Sequence, residues 1–121
     1  MTIFLVRHGE TRENAARVVQ LPDVPLDSHG AIQAERLARR LAGAGITAIL
    51  SSDLTRAVMT AERLAAAIAT PVTLDALLRE RDYGDIRGLP YAEVGADIFA
   101  PDYAPPGGET WATFHARVDR A

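Results

Sequence analysis

The chain has 121 residues and 48% apolar content, enough for one domain with a real core, though small for an enzyme of mixed helices and strands. It has no cysteine, so disulfides, thiolate nucleophiles and thiolate metal ligands are excluded. Net charge −3 and a pI near 5.5 argue against a nucleic-acid partner, which would need a basic face. All thirteen basic side chains are arginine, so lysine Schiff-base chemistry and a phosphate-binding loop lysine are also excluded.

In chain order, Ile3 to Val6 is a continuous apolar run before Arg7-His8-Gly9. It predicts a strand buried on both faces, as in a parallel sheet interior. Four apolar residues are too few for a signal core or a membrane span, so a cytoplasmic protein with no membrane partner is expected. Glu10 to Asn14 is polar and suits a loop or helix start. Pro22 and Pro25 keep their neighbours extended or turned.

Ser28 reads as a helix N-cap, followed by an apolar stripe of Ile32, Leu37 and Leu41 that stops at Gly43 and Gly45. Ile46 to Leu50 predicts a second strand, running into Ser51-Ser52-Asp53. Leu54 to Ala69 repeats the helical pattern through Val58, Ala61, Leu64, Ala65 and Ile68, and Pro71 to Leu74 predicts a third, short strand. Leu78 to Pro90 is a charged, glycine-bearing loop. After three prolines and two glycines between Pro101 and Gly108, a last helix begins near Glu109 or Thr110. This alternation predicts a three-layer α/β/α fold with a mostly parallel central sheet, and in such sheets the chemistry lies beyond the carboxyl ends of the strands. Arg7-His8 and Ser51-Ser52-Asp53 both fall at that end.

Taken alone, His8 reads as either a structural or a catalytic histidine, and Glu80 as a solvated loop carboxylate between Arg79 and Arg81. The larger pattern says more. Leu5-Val6-Arg7-His8-Gly9-Glu10-Thr11 resembles the signature of the histidine phosphatase and phosphoglycerate mutase superfamily. Further matches follow in the family's order: Asn14; Pro25-Leu26 with Gly30 and Gln33-Ala34; Ser51 to Ala57; Leu78 to Gly84; and Pro106 to Thr110.

The resemblance implies phosphoryl transfer through a phosphohistidine on His8, with no cofactor and no metal. Arg7, Arg56 and Asn14 would hold the phosphoryl oxygens, and Glu80 would protonate the leaving alkoxide. That acid role requires the Glu80 carboxyl to carry a proton near neutral pH, through burial or nearby phosphate charge. Gln20 and Tyr83 are candidate substrate contacts. Arg79, Arg81 and Arg87 read as surface or substrate-periphery charges. The implied partner is a small phosphorylated metabolite.

One departure stands out. The family carries a second histidine, in a His-Gly pair on a late strand, and that segment would fall beyond residue 121. Residues 1–121 are therefore expected to form a single domain, incomplete at its C-terminus and without that strand and histidine. An unpaired sheet edge of this kind would favour a homodimer. Neither His29-Gly30, at a helix start, nor His115, mid-helix, reads as a substitute. The short stretch Leu89 to Pro105 would leave the site open and favour water as acceptor, hence hydrolysis of a phosphomonoester. Phosphoglycerate mutase activity, or an inactive chain that binds phosphorylated ligands or a partner, are the alternatives.

Overall fold

The computed structural model describes residues 1–121. Its helices are α1 (Arg12–Ala16), α2 (Ser28–Leu41), α3 (Thr55–Ile68), α4 (Tyr91–Val94) and α5 (Trp111–Val118), and its strands are β1 (Ile49–Ser51) and β2 (Val72–Leu74). β1 and β2 pair in parallel, with Ile49 opposite Val72 and Ser51 opposite Leu74. The connection between them is α3, as a parallel pair requires a crossover. The ladder continues one step, where the Asp75 N–H donates to the Ser51 carbonyl at 2.8 Å.

α2 and α3 pack on each other and on this sheet through Ala38, Leu41, Ile49 and Leu64, all buried, with Leu37, Ala61, Ala65, Ile68 and Val72 around them. The buried face of α2 is Gly30, Ala34, Ala38 and Leu41. Ile32, expected on that face, is half exposed. Small residues at positions 30, 34 and 38 let α2 lie close to its neighbours, and Ile32 falls outside their stripe. The N-cap of α2 is also one residue earlier than expected: Asp27, not Ser28, accepts the Gly30 N–H, at 2.7 Å.

A second core, Val19, Tyr83, Ile86 and Ile98, joins the loops that follow α1 to those that follow β2. Backbone bonds tie the two stretches together: Val19 N–H to the Leu89 carbonyl at 2.9 Å, and Gly88 N–H to the Val19 carbonyl at 2.7 Å.

The expected first strand does not form. Residues 3–6 have no strand assignment, and Ile3, Phe4, Leu5 and Val6 are 80%, 46%, 100% and 42% exposed. An apolar run becomes a strand only beside a hydrogen-bonded neighbour, and neither β1 nor β2 lies alongside it.

Candidate active site

The chain leaving β1 enters Leu54 and Arg56, and the chain leaving β2 enters Arg79 and Glu80. These stretches meet the loops around α1 in one cleft, so the cleft lies beyond the carboxyl ends of both strands. Arg7, Asn14, Gln20, Arg56, Glu80 and Tyr83 all line it. His8 does not: it lines a shallower groove that shares Arg7 with the cleft and runs over Gly9, Ala34, Leu37 and Thr60. The His8 ring is nonetheless close enough to feel the charges of Arg56, Glu80 and Arg7.

Arg56 occupies the first turn of α3, and its side chain is only 4% exposed. Arg56, Thr60 and Leu64 are spaced four apart, so they share the inward face of α3. That face is polar where it meets the cleft and apolar where it meets the sheet. One Arg56 guanidinium nitrogen donates to the Leu21 carbonyl at 3.0 Å, and another pairs with a Glu80 carboxylate oxygen at 2.8 Å. The buried Nε–H has no hydrogen-bond partner. An unsatisfied donor on a buried cation is costly, of order 1–3 kcal/mol or more.

A short relay fixes the His8 loop to α3. The Gly9 N–H donates to the Thr60 hydroxyl at 3.1 Å, and that hydroxyl donates to the Arg56 carbonyl at 2.9 Å. The loop also meets the start of α2 backbone to backbone. A Cβ on Gly30 would sit 2.0 Å from the Glu10 carbonyl oxygen, and one on Gly9 would sit 2.5 Å from that of Gly30. Gly30 is thus needed for close approach. Its neighbour His29 is exposed, and His115 rests against the rings of Trp111 and Phe114, so neither reaches the cleft.

His8 Nδ1 lies 2.6 Å from the Gly9 carbonyl. A carbonyl can only accept, so Nδ1 carries the proton and Nε2 keeps its lone pair; the tautomer is inferred from this partner. Burial pushes the imidazole below its ordinary value near 6.5, and the Arg56 and Arg7 charges act in the same direction. The Gly9 hydrogen bond and the Glu80 charge oppose this without reversing it. The outcome is a neutral imidazole at neutral pH.

Thr11, fully buried, caps α1. Its hydroxyl accepts the Asn14 N–H at 3.0 Å and donates to Gln20 at 2.5 Å, while Asn14 Oδ1 accepts the Thr11 N–H. With its oxygen used there, Asn14 keeps its NH2 half for the cleft. Tyr83 both lines the cleft and belongs to the second core, and burial raises its phenol above the ordinary value of 10.0.

Of the two routes expected for Glu80, burial is not the one present: its side chain is 49% exposed, because residues 79–82 cross the surface and only Arg56 engages the carboxylate. One expectation changes. Arg81 is not a surface charge: it is 4% exposed, stacks over Trp111 at 4.0 Å, and donates to the carbonyls of Glu109, Ile98 and Tyr103. Sequence reading also missed Thr60, although its place four residues after Arg56 was a usable signal, and missed Arg117, for which no local pattern gives one. No group of His, Asp or Glu side chains has the arrangement of a metal site.

The profile described as "Histidine phosphatase superfamily (branch 1)" matches residues 3–121. A Proteus mirabilis protein named "Probable phosphoglycerate mutase GpmB" is 38% identical over all of this chain and 61% of its own length. "Fructose-2,6-bisphosphatase TIGAR" of Xenopus tropicalis is 40% identical over 96% of this chain and 46% of its own. Among solved structures, a mycobacterial glucosyl-3-phosphoglycerate phosphatase in complex with VO3 superposes with a TM-score of 0.82 at 34% identity, over 91% of this chain and 57% of that one. The chain therefore spans roughly half to six-tenths of the length of these relatives.

Proposed function

Since the chain belongs to the histidine phosphatase superfamily, branch 1, we propose that it hydrolyses a small phosphomonoester through a phosphohistidine on His8, without metal or cofactor. The observation that carries this reading is the buried Arg56 guanidinium at the cleft, with an unpartnered Nε–H, Glu80 on one nitrogen and the neutral His8 ring within reach of its charge.

In the first step Nε2 of His8 attacks phosphorus. Arg56, Arg7 and the Asn14 NH2 neutralise charge on the equatorial oxygens, and the phosphorus–oxygen bond to the alcohol breaks. Phosphate arriving at Arg56 takes the guanidinium from Glu80 and sets a dianion beside that carboxylate. Both effects favour a proton on Glu80, which passes to the departing alkoxide. In the second step Glu80 accepts a proton from water as the water attacks phosphohistidine, and inorganic phosphate leaves. The acid is thus prepared by the substrate, in place of burial. Gln20 and Tyr83 would contact the alcohol portion.

Water is the favoured acceptor because Leu89 to Pro105 is short and leaves Glu80 half exposed. The relatives named phosphoglycerate mutase make isomerisation the second reading. Following inorganic phosphate release beside isomerisation of a phosphoglycerate separates the two: mostly phosphate is expected, and mostly isomer would overturn the hydrolytic assignment. An inactive ligand-binding chain would bind vanadate without turnover; loss of measurable turnover in His8→Ala would exclude it.

We read residues 1–121 as one domain working on phosphorylated metabolites in the cytoplasm, which cell fractionation checks. No helix is long and apolar enough to cross a membrane. A homodimer is also part of this reading, supported by the exposed apolar run at residues 3–6, with Leu5 fully exposed. Light scattering that gives the monomer mass across concentrations would remove the dimer and leave the chemistry untouched.

A further inference from the structure

Glu80 sits on a stretch, residues 79–82, that belongs to no helix or strand, yet its backbone is held from behind by one side chain. Arg117, on α5, donates from one terminal nitrogen to the Leu77 carbonyl at 2.7 Å and the Arg79 carbonyl at 2.9 Å. From the other it donates to the Glu80 carbonyl at 3.3 Å. Glu109 clamps the same guanidinium from the opposite side, its two oxygens accepting from Nε at 2.7 Å and from the second terminal nitrogen at 2.8 Å. Glu109 also accepts the Asp82 N–H at 2.8 Å, and its own N–H donates to the Asp82 carbonyl at 2.8 Å. Both side chains are mostly buried, at 15% and 16% exposure.

We infer that Arg117, oriented by Glu109, is a positioning residue that sets where the Glu80 carboxyl stands relative to the leaving oxygen. A planar fork with five donors can hold a carboxylate on one edge and several carbonyls on the other, which an ammonium cannot do. The carbonyls it collects are those of Leu77 and Arg79, just ahead of Glu80, and of Glu80 itself, while Glu109 holds Asp82 beyond it. The Glu80 side chain leaves this clamp in the other direction, to Arg56. Arg117 lines neither the cleft nor the His8 groove, so it acts through the backbone it holds, which carries Glu80 into the cleft. The mutual stabilisation of the pair is visible in a Glu109 carboxyl held below its ordinary value by the Arg117 guanidinium.

This inference rests on the proposed phosphohistidine reaction, and its test exploits the leaving group. An aryl ester such as p-nitrophenyl phosphate expels a stable phenolate and needs little help from an acid, whereas glycerol 2-phosphate must receive a proton. A misplaced acid should therefore slow the alkyl ester by about 100-fold and the aryl ester only a few-fold. Arg117→Met and Glu109→Gln are expected to show this split in kcat/KM, which reports transfer to His8 ahead of the dephosphorylation step the two esters share, and Arg117→Lys to show a smaller one. Two variants on opposite sides of the clamp guard against one failing to fold, and circular dichroism monitors both. Equal slowing on the two esters, or none, in folded variants of an active wild type overturns the inference alone. A wild-type chain that turns over neither ester overturns the underlying reaction instead.

Discussion

At the scale of single residues, the account turns on charges placed against a neutral ring. The folded-state value of His8 is depressed, so its neutral form persists to more acid pH than that of a free imidazole. The acid limb of kcat/KM is expected below 6.5, and a limb at or above that value would contradict the burial argument. The same depression links to folding: the unfolded chain takes up the proton first. Stability is then full above about 6.5 and falls as pH drops toward the folded value. Denaturant titrations should show that slope, and His8→Gln should flatten it.

Arg56→Met should lower kcat/KM by about 10²–10³, the usual effect of removing one donor from developing negative charge. A loss of less than tenfold would relegate Arg56 to packing. The residues in these predictions were legible because motif and local order go together: His8 follows Arg7, and Arg56 follows the Ser-Ser-Asp turn. Arg81 and Arg117 were not legible. A guanidinium aimed at backbone carbonyls 17 to 40 positions away leaves no spacing to read.

Among elements, the long helices and the two paired strands were readable, the earlier of those strands starting three residues later than expected, whereas the strand expected at Ile3–Val6 was not. Both long helices announce themselves by apolar periodicity, and their observed ends lie within two residues of the nearest turn and cap signals. Periodicity alone did not separate Ile32 from the true inward face, because alanines at 34 and 38 carry that face with little hydrophobic signal. The Ile3–Val6 run shows the corresponding limit for strands, whose existence depends on a partner elsewhere in the chain. Two predictions belong here. Asp27→Ala should cost about 0.5–2 kcal/mol by uncapping α2, measured as a shift in denaturant midpoint. Gly30→Ala should cost more, about 1–3 kcal/mol, because its methyl would enter the Glu10 carbonyl. It should also weaken phosphate binding, since the displaced loop carries His8. Gly30→Ala tolerated without either effect would show that the close approach is not needed.

For the molecule as a whole, one helical pair on a parallel two-stranded sheet and one loop cluster meet at a shared cleft, and the parallel order follows from the strand–helix–strand alternation of the sequence. The division into two cores could not be foreseen, because Val19, Tyr83, Ile86 and Ile98 come from stretches that read as loops. Leu64, buried between α2 and the sheet, is the natural probe of the larger core, and Leu64→Ala should cost about 2–5 kcal/mol in equilibrium unfolding.

The most direct measurement is chemical. The chain is mixed with p-nitrophenyl phosphate, quenched in alkali within the first turnover, and digested, and the phosphate is located by mass spectrometry. One phosphoryl group on the peptide containing His8, stable in base and lost in acid, is the predicted result. Turnover with no phosphate on that ring, or with phosphate on another residue, would contradict the account.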